Sequence, residues 1–143
     1  MRFYVAGASA EIERSEKVIA ELRARGHEIT LDWPAAMRAE PKKDHELSDD
    51  EARGYADADL RGVYTAEVFI LVAPPRNVTS AGCWCELNTA RERYLFGMTP
   101  NAVFAVGLHA RASIFTRATG VRCITCADDD IVDDVLAALG GKL

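Results

Sequence analysis

Val68-Phe69-Ile70-Leu71-Val72-Ala73 is an unbroken apolar run closed by Pro74-Pro75. It is too short to span a bilayer. Its β-branched and aromatic content, without polar alternation, marks a strand covered on both faces. Such a strand needs helices above and below its sheet. A second run of the same kind, Ala102-Val103-Phe104-Ala105-Val106-Gly107, follows a segment with a helical pattern. A chain with two buried strands joined through a helix is constrained to a parallel α/β architecture.

The remaining segments fit that frame. Arg2 to Ala6 reads as a first strand, ending in the small-residue turn Gly7-Ala8-Ser9. Ile12, Val18, Ile19 and Leu22 mark one side of a helix that Gly26 stops. A second strand is expected over residues 28–32, broken by Trp33-Pro34. This completes a βαβ unit, right-handed by strong rule. Residues 34–48 are polar, lack periodicity and are expected to form a long loop, a surface insertion or a lid. Ser48 and Glu51 have the spacing of a capping box and start a helix. Beyond the buried strand at 68–73 come a loop to Thr79, a helix from Ser80 to about Gly97, the strand at 102–107, a fifth strand over 121–125 and a closing helix carrying Ile131, Val132, Val135, Leu136 and Leu139. The expected fold is therefore α/β, a flavodoxin-like doubly wound five-stranded parallel sheet in the order 2-1-3-4-5 with helices on both faces.

Length and composition narrow the function classes. The 143 residues suit one domain with a real core and are too few for two ordinary ones, so residues 1–143 are read as a single domain. A hydrophobic share of 49% argues against a disordered chain. The formal net charge of -5 gives no electrostatic footprint for a nucleic-acid polymer or an anionic membrane. No basic-apolar leader precedes the first strand, and no apolar run is long enough to span a bilayer; a cytoplasmic protein is expected. The cysteines fall in two close pairs, Cys83/Cys85 and Cys123/Cys126, which raises zinc. On a helix, however, Cys83 and Cys85 point about 200° apart and cannot easily share an ion. Reduced core thiols, with no metal and no cofactor, are the expectation.

The chemistry concentrates in Ser80-Ala81-Gly82-Cys83-Trp84-Cys85-Glu86-Leu87. Cys83, Leu87, Ala90 and Tyr94 form the apolar stripe of that helix, and Glu86 sits beside the stripe and not opposite it. Gly82, one turn earlier, leaves space above the carboxylate. In a doubly wound sheet, ligands bind beyond the carboxyl ends of strands 1 and 3, where the winding reverses. Glu86 lies one turn into the helix leaving that point, as a ligand-facing acid would. Gly7 and Ser9 in the first loop, and Ser80 at the start of the Glu86 helix, are candidate contacts for a hydroxyl-rich or phosphorylated ligand.

These residues together resemble the nucleoside 2-deoxyribosyltransferase superfamily, which includes nucleoside 5'-monophosphate N-glycosidases. The resemblance runs over nearly the whole chain: Phe3 to Ser9, Asp59 eight residues before Glu67, and the Ser-x-Gly-x-x-x-Glu-Leu of Ser80 to Leu87. It implies that Glu86 is a nucleophile at the anomeric carbon, that Asp59 assists protonation of the leaving base, and that Tyr4 positions the nucleophile or sugar. Asp57 competes with Asp59 for the acid's role. The substrate implied is a small nucleoside or nucleotide, and the assembly a homodimer or larger homo-oligomer, for which Trp84, Tyr94, Leu95 and Phe96 offer apolar surface. Asn88 stands where that family usually has Gly, and Glu67 where it has Asp. Ser80 occupies the position of a base-contacting Asp in transferases and a phosphate-binding Ser in hydrolases. Ala10-Glu11 replaces an Arg of the hydrolases, for which Arg76 is a possible substitute. Transfer and hydrolysis both stay open. Trp84-Cys85-Glu86 after a Ser-bearing loop is also similar to the Ser-x-Trp-Cys-x-x-Glu pattern of TIR domains, whose Glu cleaves NAD. A nucleotide-derivative binding protein without turnover is the non-enzymatic alternative.

Overall fold

The computed structural model describes residues 1–42, 44–78 and 80–140. Among them, strands β1 (Arg2–Ala6), β2 (Glu28–Ile29), β3 (Val68–Val72), β4 (Ala102–Val106) and β5 (Arg122–Ile124) form one sheet in the order β2-β1-β3-β4-β5. Every pairing is parallel, so the flavodoxin-like order expected from the sequence is the one found. The helices are α1 (Ile12–Ala24), α2 (Trp33–Ala39), α3 (Asp49–Thr65), α4 (Ala81–Leu95) and α5 (Ile131–Gly140).

Alternation along β1 divides the core into two layers. Phe3 and Val5 face α1 and α5, packing with Val18, Leu22, Ile131 and Val135. Tyr4 and Ala6 face α3 and α4, packing with Val63, Cys83, Leu87 and Ala90. Because β3 and β4 are buried along their whole length, neither face could be left to water. The register pairs Tyr4 with Phe69, and the two rings stack at 5.8 Å with 13° between their planes.

Local chemistry sets the helix boundaries. Ser48 Oγ accepts the Glu51 amide at 3.3 Å and Glu51 Oε2 accepts the Ser48 amide at 2.9 Å, so the capping box forms. In α4 the stripe of Cys83, Leu87 and Ala90 is buried as its spacing requires.

Three expectations are corrected. The second strand is only Glu28–Ile29, because the chain needs Asp32 as the N-cap of α2, where its carboxylate accepts the Ala35 amide at 3.0 Å. The stretch from Trp33 to Ala39, expected at the start of a long loop, is helical; Pro34 begins it, since proline's missing N–H costs nothing in a helix's first turn. Cys85 is exposed and not a core thiol, because it lies two residues from buried Cys83 on the opposite side of α4. All four cysteines are free. Lys43 and Thr79, which fall in the two loops read from the sequence, lie outside the described residues. No helix among the described residues is long and apolar enough to cross a membrane.

The packing makes Leu87 the side chain that seats α4 on the sheet. Leu87→Ala is expected to destabilise the protein by about 2–5 kcal/mol, whereas loss of the α3 cap in Ser48→Ala costs about 1 kcal/mol; urea unfolding midpoints measure both.

Candidate active site

Tyr4 sits in the middle of β1, wholly buried, with its ring against the layer formed by α3 and α4. Its hydroxyl emerges between those two helices. It donates to Glu86 Oε1 of α4 at 2.9 Å and stands 3.4 Å from Asp59 Oδ1 of α3. Three candidates from the sequence, separated by 55 and 82 residues of chain, therefore meet at one oxygen. Asp57 is not part of this cluster: it is exposed and lines a different cleft.

A tyrosine hydroxyl carries a single proton and can donate to only one carboxylate at a time. The shorter bond gives it to Glu86. Asp59 stands at the longer distance as the second acceptor for that proton. Burial raises the pKa of both acids. Glu86 is pushed up to about 7, first by burial and then by the neighbouring Asp59 carboxylate, while the Tyr4 hydrogen bond pulls it down. Burial likewise lifts Asp59 above the usual carboxylate range, against the opposing Tyr4 bond. Burial and the two carboxylates together hold the Tyr4 phenol far above its ordinary value, so it stays protonated. Like charges this close resist ionising together, and the acids titrate as a pair.

Cys83 is no rival nucleophile. Burial pushes its thiol up to about 11, and it donates to the Ser80 carbonyl at 3.4 Å. At neutral pH it is a thiol and Glu86 is the group within reach of ionisation.

The other sequence candidates are arranged around this cluster without touching it. Gly7 packs beneath α1: a Cβ there would lie 2.2 Å from Ser15 Oγ and 3.7 Å from the Trp33 ring. Ser9 is exposed and opens a short 3₁₀ turn leading into α1. Ser80 is the N-cap residue of α4, yet its hydroxyl makes no capping bond. Gly82 is exposed, and nothing lies within 4 Å of where its Cβ would be. The first turn of α4 carries no acid, unlike that of α3 with Asp49, Asp50 and Glu51, so its positive end is left open. Arg14 is consumed by Asp128, Glu11 and the Ala73 carbonyl. Arg76 ties its loop to the Ala112 carbonyl at 3.1 Å through Nε.

Among the described residues no cluster of three or more His, Cys, Asp or Glu side chains is arranged to hold a metal ion. Two surface clefts are lined by neither acid of the pair. One of about 430 Å³ is lined by Ile12, Met37 and Lys42, the other of about 490 Å³ by Thr30, Asp57 and Arg61. Neither is lined by Glu86. The pocket expected from Gly82 is neither of these clefts, and what defines the candidate site is the convergence of three side chains.

Two contributors escaped the sequence reading. Trp33, taken there as a strand breaker, donates from Nε1 to the Val5 carbonyl at 2.7 Å and closes the side of the first loop. Gly62 lies directly against the Tyr4 ring. A glycine inside a helical pattern was the available signal for the second.

No family model matches the sequence, and no curated protein matches it. Among solved structures, the chain is similar to the CMP N-glycosidase BcmB of Clostridium botulinum. The TM-score is 0.59 and the identity 18%, over 97% of this chain and 99% of that one. At that identity the shared property is the fold, and it extends over both chains almost end to end.

The raised Glu86 value has a consequence for stability. Between the ordinary value of 4.5 and about 7 the folded chain holds a proton on Glu86 that the unfolded chain releases. Stability is therefore lost as pH rises through that window. Glu86→Gln, which cannot ionise, is expected to be more stable than the parent at pH 8 by about 1–3 kcal/mol and to match it near pH 4; denaturant melts at the two pH values test this.

Proposed function

We propose that the protein cleaves the N-glycosidic bond of a nucleoside or nucleoside 5'-monophosphate, with Glu86 as nucleophile and Asp59 as acid. The observation that carries this reading is the Tyr4 hydroxyl shared by two part-buried carboxyls, Glu86 at 2.9 Å and Asp59 at 3.4 Å. The fold shared with a CMP N-glycosidase supports it. So does the resemblance of the Glu86 motif to the nucleoside 2-deoxyribosyltransferase superfamily.

In the first step a Glu86 oxygen bonds to the anomeric carbon while the carbon–nitrogen bond breaks. The bonding pair leaves with the base, and the Asp59 proton goes to that base. Tyr4 stays protonated and holds Glu86 in line. In the second step water, or the nitrogen of another base, attacks the anomeric carbon and frees Glu86. The incoming nucleophile's proton returns to Asp59. Water gives hydrolysis; a base gives transfer. A 5'-phosphate, where present, is best met by the uncapped start of α4, with the Ser80 hydroxyl and Arg76 nearby in sequence. Apolar Leu95 and Phe96 remain exposed at the far end of α4, where a second copy of the chain is expected to pack.

Purified protein incubated separately with deoxynucleosides, their 5'-monophosphates and NAD, and assayed for free base, tests the reading. Base release is expected from a nucleoside or monophosphate. It should vanish in Glu86→Ala and fall by about 10²–10⁴-fold in Asp59→Asn. Release from NAD alone would favour the TIR-like alternative, and tight binding without release in the parent protein would make it a sensor. Adding a second free base distinguishes transfer, by formation of the exchanged nucleoside.

The rate should also follow a bell-shaped pH profile, since activity needs one proton on the acid pair. Removing the Asp59 charge takes away one of the influences that raise Glu86. The acid limb of the residual activity in Asp59→Asn is accordingly expected at lower pH than in the parent.

A further inference from the structure

Gly62 is buried inside α3, where glycine weakens a helix relative to alanine. A packing reason is visible. A Cβ at this position would lie 2.7 Å from both Cδ2 and Cε2 of Tyr4, and 3.1 Å from Leu31 Cβ. The ring is held by the strand pairing, which sets it nearly parallel to the Phe69 ring at 5.8 Å. The helix is also tied down: Thr30 Oγ1 donates to the Gly62 carbonyl at 2.9 Å. Gly54 and Gly82, which are helical too, meet nothing within 4 Å.

Asp59 is one turn before Gly62 on the same face of α3. The distance between that face and the Tyr4 ring therefore sets how far Asp59 stands from the hydroxyl. The geometry points to Gly62 as the positioning residue of this site: its missing side chain lets α3 close on the Cδ2–Cε2 side of the Tyr4 ring, so that Asp59 reaches the oxygen Glu86 already holds. A methyl group there must push helix or ring aside by several tenths of an ångström, and the two carboxyls then lose their common partner. Gly62 touches no substrate; it acts through Tyr4 and Asp59. Only the kinetic part of the test rests on the N-glycosidase reading.

The experiment uses the full chain labelled with ¹³C at glutamate carboxyls, titrated by NMR without substrate. The parent, Gly62→Ala, Tyr4→Leu and the double variant are compared. With Tyr4 present, Gly62→Ala should move the Glu86 midpoint by about half a pH unit or more, leaving that of remote Glu28 unchanged. With Tyr4→Leu, which removes the ring, Gly62→Ala should move it no further. Equal shifts in both backgrounds, or none in either, overturn the proposal. Should Gly62→Ala alone fail to fold, the double variant must recover the parent's circular dichroism, and persistent unfolding overturns it as well. If the parent releases base, Gly62→Ala is expected to lower kcat by about 10–100-fold with little change in KM. Absence of base release from the parent removes the functional reading and leaves the NMR result to decide the role of Gly62.

Discussion

The phenol of Tyr4 ends a ring that water does not reach, so its hydroxyl has to find partners among protein groups. Those partners are two acids, and much of the architecture around them follows from keeping the three together. Parallel pairing with β3 fixes the ring against Phe69. The α3 and α4 helices cover the same face of the sheet, and each contributes a carboxyl at the end of the ring. A buried pair of carboxylates alone would repel. The phenolic proton between them offsets part of that repulsion, and burial leaves both with raised affinities for protons. A carboxyl poised near neutrality has both of its protonation states within reach at ordinary pH.

Much of the fold could be read from the sequence because its strongest signals are local. The unbroken apolar runs at 68–73 and 102–107 demand cover on both faces, the Ser48/Glu51 pair announces a helix start, and the stripe through Cys83, Leu87 and Ala90 orients α4. The strand order follows from the alternation of these elements. Of the candidate site, Glu86 was singled out by its place beside that stripe, and Asp59 and Tyr4 by the family resemblance. What the sequence did not display was their meeting, which depends on strand register and on how closely two helices approach one ring.

The misreadings have a common origin. Trp33-Pro34 looks like the end of a strand, but proline's effect depends on whether it stands first or later in a helix, and the Asp32 cap decides that. β2 is short for the same reason. Gly62 looks neutral in a helix of mixed polarity, and its importance appears only with the ring beneath it. Cys85 was grouped with Cys83 by proximity in the chain, although helical geometry places them on opposite sides.

Arg14 leaves the molecule with an electrostatic asymmetry. Its guanidinium is spent bracing α1 against Asp128 at the start of the last helix, against Glu11 and against the end of β3. With one guanidinium facing two carboxylates, the half of the reversal point beneath α1 gains no net positive charge from Arg14. The opposite half, where α4 begins without an acid or a cap, keeps its partial positive charge. A ligand with one charged and one uncharged end would thus be oriented before any specific contact formed, its anion turned toward α4 and its neutral part toward α1.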